Sequence, residues 1–182
     1  MARRVQVVAL FEDRAHEFLL RSLLRRLGFS PHDVDYQRCE DCNRVERRFV
    51  DEVRSLRSKN YQHNIGILVM IDADAYGHAG RKRRLDGLLR EAGLAERRAT
   101  DRIAYVVPAL EGENWYVHFC CPESRPIDET RDYKPSPEWR ALRDDIGGAA
   151  GRLAAAWFPS LEDEPAAIRD ARVELQRVRK PE

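Results

Sequence analysis

Lysine is almost missing from this chain. Only Lys59, Lys82, Lys134 and Lys180 occur, so arginine supplies nearly all of the 32 basic residues. Arginine suits phosphate and carboxylate forks, and a biased genome composition gives the same excess, so both readings stay open. A surplus of one charge sign is missing too. A net charge of +1 excludes binding to polyanions through whole-molecule charge and leaves any nucleic-acid affinity to a local patch. No apolar run approaches the roughly 20 residues of a membrane span. The opening "MARRVQVVALFED" has two arginines and a short apolar run, as a signal peptide would. Glu12 and Asp13 interrupt that run, and no small-residue cleavage site follows, so it reads as a strand. The four cysteines read as reduced thiols of a cytoplasmic protein rather than a disulfide framework. Internal repeats and low-complexity blocks are absent. What remains is a 182-residue chain, 43% hydrophobic and 35% charged, which suits one compact domain with a real core and a polar surface.

The hydrophobic pattern alternates between strand and helix. Val5 to Phe11 is apolar and β-branched, as in a strand buried on both faces. Leu20, Leu23, Leu24 and Leu27 then follow helical spacing, and Gly28 stops the helix. Residues 32–39, "HDVDYQRC", read as a more polar edge strand. Val45, Phe49, Val53 and Leu56 form the stripe of a second helix, and Ile65 to Ile71 is the clearest strand. Leu85, Leu88, Leu89 and Ala92 mark a third helix ended by Gly93. Ile103 to Val107 is a fourth strand, closed by Pro108, and "EGENWYVHF" begins another helix. This order predicts an α/β fold of Rossmann-like type, with a mostly parallel four-stranded sheet flanked by helices. We expect an α/β domain over 1–121, a loop over 122–137 ("PESRPIDETRDYKPSP"), and a C-terminal helical extension over 138–182 packed on the domain. Trp139, Leu142, Ile146, Leu153 and Trp157 carry its first stripe, which Gly147, Gly148 and Gly151 each weaken by about 1 kcal/mol relative to alanine. A charged helix from Glu162 to Lys180 ends the chain.

The chemistry concentrates in "VMIDADAYG", residues 69–77. A buried strand ends there by sending out Asp72 and Asp74, a repulsion that costs stability unless something positive offsets it. In an open α/β sheet, ligands bind beyond the carboxyl ends of the strands. Glu12 follows the first strand, and right-handed crossovers place the first and third strands in mid-sheet. Glu12, Asp72 and Asp74 are therefore expected on one rim, a set of hard oxygens suited to magnesium with positions left open for water and phosphate. Helix capping is the competing role, for Asp13 and Asp74 in particular.

"VVALFEDRAHEFLLRSLL" followed by "ILVMIDADAYG" resembles the topoisomerase–primase (TOPRIM) superfamily, marked by a glutamate after strand one and Asp-x-Asp after strand three. The spacing of Glu12 to Glu17 resembles the "EGxxxE" of RloB-like proteins. These are small stand-alone TOPRIM proteins related to OLD nucleases and associated with prokaryotic defence. Glu113-Asn114-Trp115 fits the "E-x-W" of those relatives, and Gly77 fits "DxDxxG". The resemblance covers roughly residues 5–120. One departure is Asp13, where the family has glycine; we read it as a helix cap, with a further metal ligand as the alternative.

The resemblance implies a phosphodiester-cleaving nuclease acting on DNA or RNA with Mg2+ or Mn2+. Glu12, Asp72 and Asp74 would be its catalytic residues. The metal would be held by Asp72 and Asp74 with Glu12 or Glu17, Glu12 would do acid/base work, and Glu113 would hold a second ion or position these groups. It also implies a defence effector working beside an ATPase partner, since the chain has no "GxxxxGK[ST]" phosphate loop. The alternative is a degenerate module that binds a partner or nucleic acid without cutting. A phosphotransfer fold of receiver or dehalogenase type ranks last, because "FED" stands where dehalogenases carry Asp-x-Asp.

Arg81, Lys82, Arg83 and Arg84 in "GRKRR" are candidates for binding nucleic-acid phosphates, with Lys134, Arg14 and Arg38 behind them, against the alternative of a solvated helix end. Cys39 and Cys42 form half of a zinc site that Cys120, Cys121 and His118 could complete, although buried thiols explain them as well. His16, His32, His63 and His78 show no spacing beyond surface or capping roles.

Overall fold

In the central strands every residue is apolar and alternate side chains point to opposite faces, so the sheet must be covered on both sides. The computed structural model, which describes residues 5–58, 65–158 and 164–180, shows this arrangement. Four strands, β1 (Val7–Phe11), β2 (Val34–Arg38), β3 (Gly66–Met70) and β4 (Ile103–Val106), form one parallel sheet in the order β2-β1-β3-β4. The seven helices among the described residues are α1 (Arg14–Arg26), α2 (Cys42–Ser58), α3 (Gly77–Glu91), α4 (Gly112–Cys120), α5 (Pro137–Asp144), α6 (Ile146–Ala156) and α7 (Ala166–Gln176). The expected α/β architecture is the observed one. Lys59 and His63, and the start of the expected last helix at Glu162, lie outside the described residues.

The two faces carry separate cores. Val8, Leu10, Ile67, Val69, Ile103 and Tyr105 pack under α2 and α3. Val7, Ala9, Leu68, Met70, Ala104 and Val106 pack under α1, α4, α5, α6 and α7. The C-terminal helices thus share a core with the sheet. Trp157 at the end of α6 is fully buried, with its ring centroid 5.6 Å from that of Trp115 and 5.5 Å from that of Phe119.

The single stripe from Trp139 to Trp157 is broken into two helices at Asp145, whose carboxylate accepts from Gly148 N at 3.1 Å and caps α6. Gly148 allows that cap, because a Cβ there would lie 2.1 Å from Asp145 Oδ2. The α7 helix covers the β4 edge: Glu174 Oε2 accepts from Tyr105 N at 3.1 Å, which blunts a row of backbone groups otherwise open to pairing.

For function the decisive feature is the position of β1 and β3. They are adjacent and central, and Phe11 stands level with Met70, so the residues that follow them emerge side by side.

Candidate active site

Glu12 leaves the end of β1 and turns toward β3, where its Oε1 accepts a hydrogen bond of 2.9 Å from Asp72 N. Asp72 itself is nearly buried. Its Oδ1 accepts from Gly112 N at 2.9 Å and meets His16 Nε2 at 3.1 Å, which ties the ends of β1 and β3 to the first turns of α1 and α4. Asp74 stands two residues on, at a φ of +47°, a left-handed conformation that aspartate tolerates better than most side chains. Arg81 holds it there. The Arg81 side chain, only 2% exposed, donates from Nε to the Asp72 carbonyl at 2.9 Å, from Nη2 to Asp74 Oδ2 at 2.8 Å and from Nη1 to Glu46 Oε1 at 2.9 Å.

Burial lifts the Glu12 carboxyl above its ordinary value, and the charges of Asp72 and Asp74 add to the lift against the hydrogen bond from Asp72 N. Glu113, 5% exposed in the first turn of α4, is pushed up to about 7 by burial and then by the charge of Asp72. Lys134 counters it from 3.9 Å while pairing with Glu111 at 2.9 Å. Burial works to lower the Lys134 ammonium, but these two glutamates overcome it and hold the charge above its usual range. Asp13, Arg14, Glu113, Lys134 and Arg143 line a cleft of about 490 Å³ next to the first turns of α1 and α4. Asp13 caps α1, its Oδ1 accepting from His16 N at 2.9 Å.

Glu17 is not gathered with the other acids: it pairs with Arg21 at 2.9 Å, and that arginine lies over the Tyr36 ring on the β2 side. The basic run divides, and most of it faces inward or sideways to acids. Besides buried Arg81, Lys82 pairs with Asp170 and Glu174 at 2.8 and 2.9 Å, and Arg84 with Glu46 and Glu91 at 3.3 and 3.2 Å. Arg83 is exposed and makes no ion pair among the described residues.

All four cysteines are free thiols, and Cys42 lies near enough to Glu12 and Asp74 to feel their charges. Among the described residues no group of three or more acidic, histidine or cysteine side chains is close enough to cage a metal ion, zinc included. Magnesium makes a weaker demand, one or two carboxylates completed by water and phosphate. Glu12 Oε2, Asp72 Oδ2 and Asp74 Oδ1 carry no hydrogen bond among the described residues, while the other oxygen of each is anchored. Any one or two of these free oxygens would meet that demand.

His16, expected in a surface or capping role, has its side chain buried against Asp72 instead. It is 1% exposed, and a Cβ on Gly112 would lie 2.7 Å from its Nε2, so a glycine is required there. Burial acts to lower the imidazole, but the charge of Asp72 and its hydrogen bond outweigh this and hold the ring protonated. A group raised in the folded state stabilises below its unfolded value and loses that contribution as pH climbs toward its folded one. Glu113 acts in the same direction up to about pH 7. His118, pushed down to about 4 by burial, opposes them below pH 6.5. The melting temperature should therefore fall from pH 7 to pH 9, and His16→Gln should flatten the slope in a thermal scan across that window.

No family model and no curated protein matches this chain. Among solved structures the chain is similar to the C-terminal region of the Xanthomonas campestris pv. campestris OLD protein. That likeness has 21% identity and a TM-score of 0.45, over 96% of this chain and 94% of that one. A likeness of that size assigns no family, so the case for a site rests on the anchored carboxylates at the ends of β1 and β3.

Proposed function

We propose that this protein is a divalent-metal-dependent nuclease of TOPRIM type that cleaves phosphodiester bonds in DNA or RNA. The observation that carries the reading is the 2.9 Å hydrogen bond from Asp72 N to Glu12 Oε1, with Asp74 anchored beside it. Two central strands thereby deliver three carboxylates to one rim, each with an oxygen left over. Glu12, Asp72 and Asp74 would hold Mg2+ or Mn2+, which supplies neutralising charge to the phosphoryl oxygens. The remaining work falls to side chains. Glu12, raised by burial, is placed to take a proton from an attacking water. Glu113, pushed up to about 7, has a proton to give near neutral pH. Lys134 and Arg14 line the cleft where the flanking strand would run. An ATPase partner and a role in defence belong to this proposal through the sequence resemblance alone.

One observation favours the second reading, a module that binds without cutting. His16 and Arg81 already hold the charges of Asp72 and Asp74, so the fold does not need a metal to offset them. Incubating the protein with end-labelled DNA and RNA under Mg2+, Mn2+ or EDTA separates the two. Cleavage with either metal and none with EDTA is expected; equal binding with no cleavage under either metal would leave only the module.

A further inference from the structure

Tyr76 is the most exposed aromatic ring among the described residues, at 57%, and it stands two residues after Asp74. Its placement is fixed. The guanidinium carbon of Arg81 lies 4.6 Å from the ring centroid, and the same guanidinium holds Asp74 Oδ2 at 2.8 Å, so ring and carboxylate are both set against one buried cation. Arg81 covers part of the ring and the remainder is open to solvent. Gly80 extends this exposed step. A Cβ on Gly80 would lie 3.5 Å from Tyr76 Cβ and 3.8 Å from Arg83 Nη2, so the tyrosine and the arginine flank a position without a side chain. Arg83 is the member of its basic run without an acidic partner among the described residues.

An exposed, rigidly backed aromatic ring next to an uncommitted arginine combines a stacking surface with a phosphate contact. Stacking needs a base whose face is free, and bases inside a duplex have none to offer. We infer that Tyr76, Gly80 and Arg83 form a docking step for one unpaired nucleotide, the base on the Tyr76 ring and its phosphate on Arg83. The site would therefore take single-stranded nucleic acid or a frayed end in preference to a closed duplex. This inference rests on the nuclease reading for the identity of the ligand, but its test does not depend on cleavage.

The measurement is fluorescence anisotropy with a labelled single-stranded oligonucleotide and with its duplex, in Ca2+ and in EDTA. Wild-type protein should bind the single strand more tightly than the duplex. Tyr76→Ala should weaken single-strand binding by about 5- to 150-fold, the range for losing one stacked base, while Tyr76→Phe keeps it. Arg83→Ala should reduce the slope of log affinity against log salt by about 0.7. Circular dichroism melting should show all three variants folded, since both positions are exposed. Equal affinity for strand and duplex, or unchanged binding in Tyr76→Ala, overturns the inference even if the protein cleaves with magnesium. Single-strand preference with the expected losses upholds it even if no cleavage is seen, in which case the nuclease reading alone fails.

Discussion

Arg81→Met should destabilise the protein by about 3–5 kcal/mol, the cost of removing one partner from a buried ion pair. In a chain of this length that is a fall of about 6–20 °C in melting temperature. The loss is not spread evenly over the three acceptors. Asp74 is half exposed and would be resolvated at little cost, so its pair contributes little to the total. Glu46 has a side chain only 9% exposed and would keep just the longer 3.3 Å contact to Arg84, and the Asp72 carbonyl lies in the same buried setting, so these two acceptors carry the penalty. Arg81→Met/Glu46→Leu should recover the part of the stability lost at Glu46, because an apolar pair can fill the space of a buried ionic one, while the Asp72 carbonyl stays without its donor. The double variant should still fail to cleave, since Asp74 would have lost the contact that holds its φ at +47°. Chemical denaturation and a cleavage assay on the same three proteins test both halves.

The role of Arg81 also shows where the sequence could be read and where it could not. The sheet, its parallel strands and the adjacency of Glu12 and Asp72 follow from local hydrophobic runs and the handedness of crossovers, both visible in one dimension. Arg81 was hidden in "GRKRR", where a run of like charges masks the member that turns inward. Its spacing of four and eight residues from buried Leu85 and Leu89 was the available signal. Glu46 stood likewise three residues before buried Phe49, and His16 four before buried Leu20. Polar residues on an apolar stripe mark buried partners, but the partner comes from another element, and a periodicity cannot name it. Glu17 is the reverse case. Its spacing from Glu12 matched a family pattern, yet its carboxylate pairs with Arg21 one turn along α1.

Glu12→Gln should lower cleavage by about 10²- to 10⁴-fold, the range for losing a positioned acid/base group, with little change in melting temperature. The substitution is chosen because glutamine Oε1 can still accept the hydrogen bond that Asp72 N gives to Glu12 Oε1 at 2.9 Å. The tie between β1 and β3 is kept, while the negative charge and the exchangeable proton are lost. Removing a charge that burial and two neighbouring aspartates disfavour should, if anything, relieve the fold. Glu113→Gln provides the contrast. Its carboxyl is pushed up to about 7 and is the proposed proton donor, so the variant should lose most activity below pH 7 and lack the fall that wild type shows as pH rises through 7. A rate–pH profile of both variants, beside Mn2+ titration followed by electron paramagnetic resonance, separates the two glutamates. Weakened Mn2+ binding in Glu12→Gln with near-normal binding in Glu113→Gln assigns the metal to the β1–β3 rim and the proton to α4. Unchanged cleavage in Glu12→Gln would mean that the rim carboxylate serves only to join two strands.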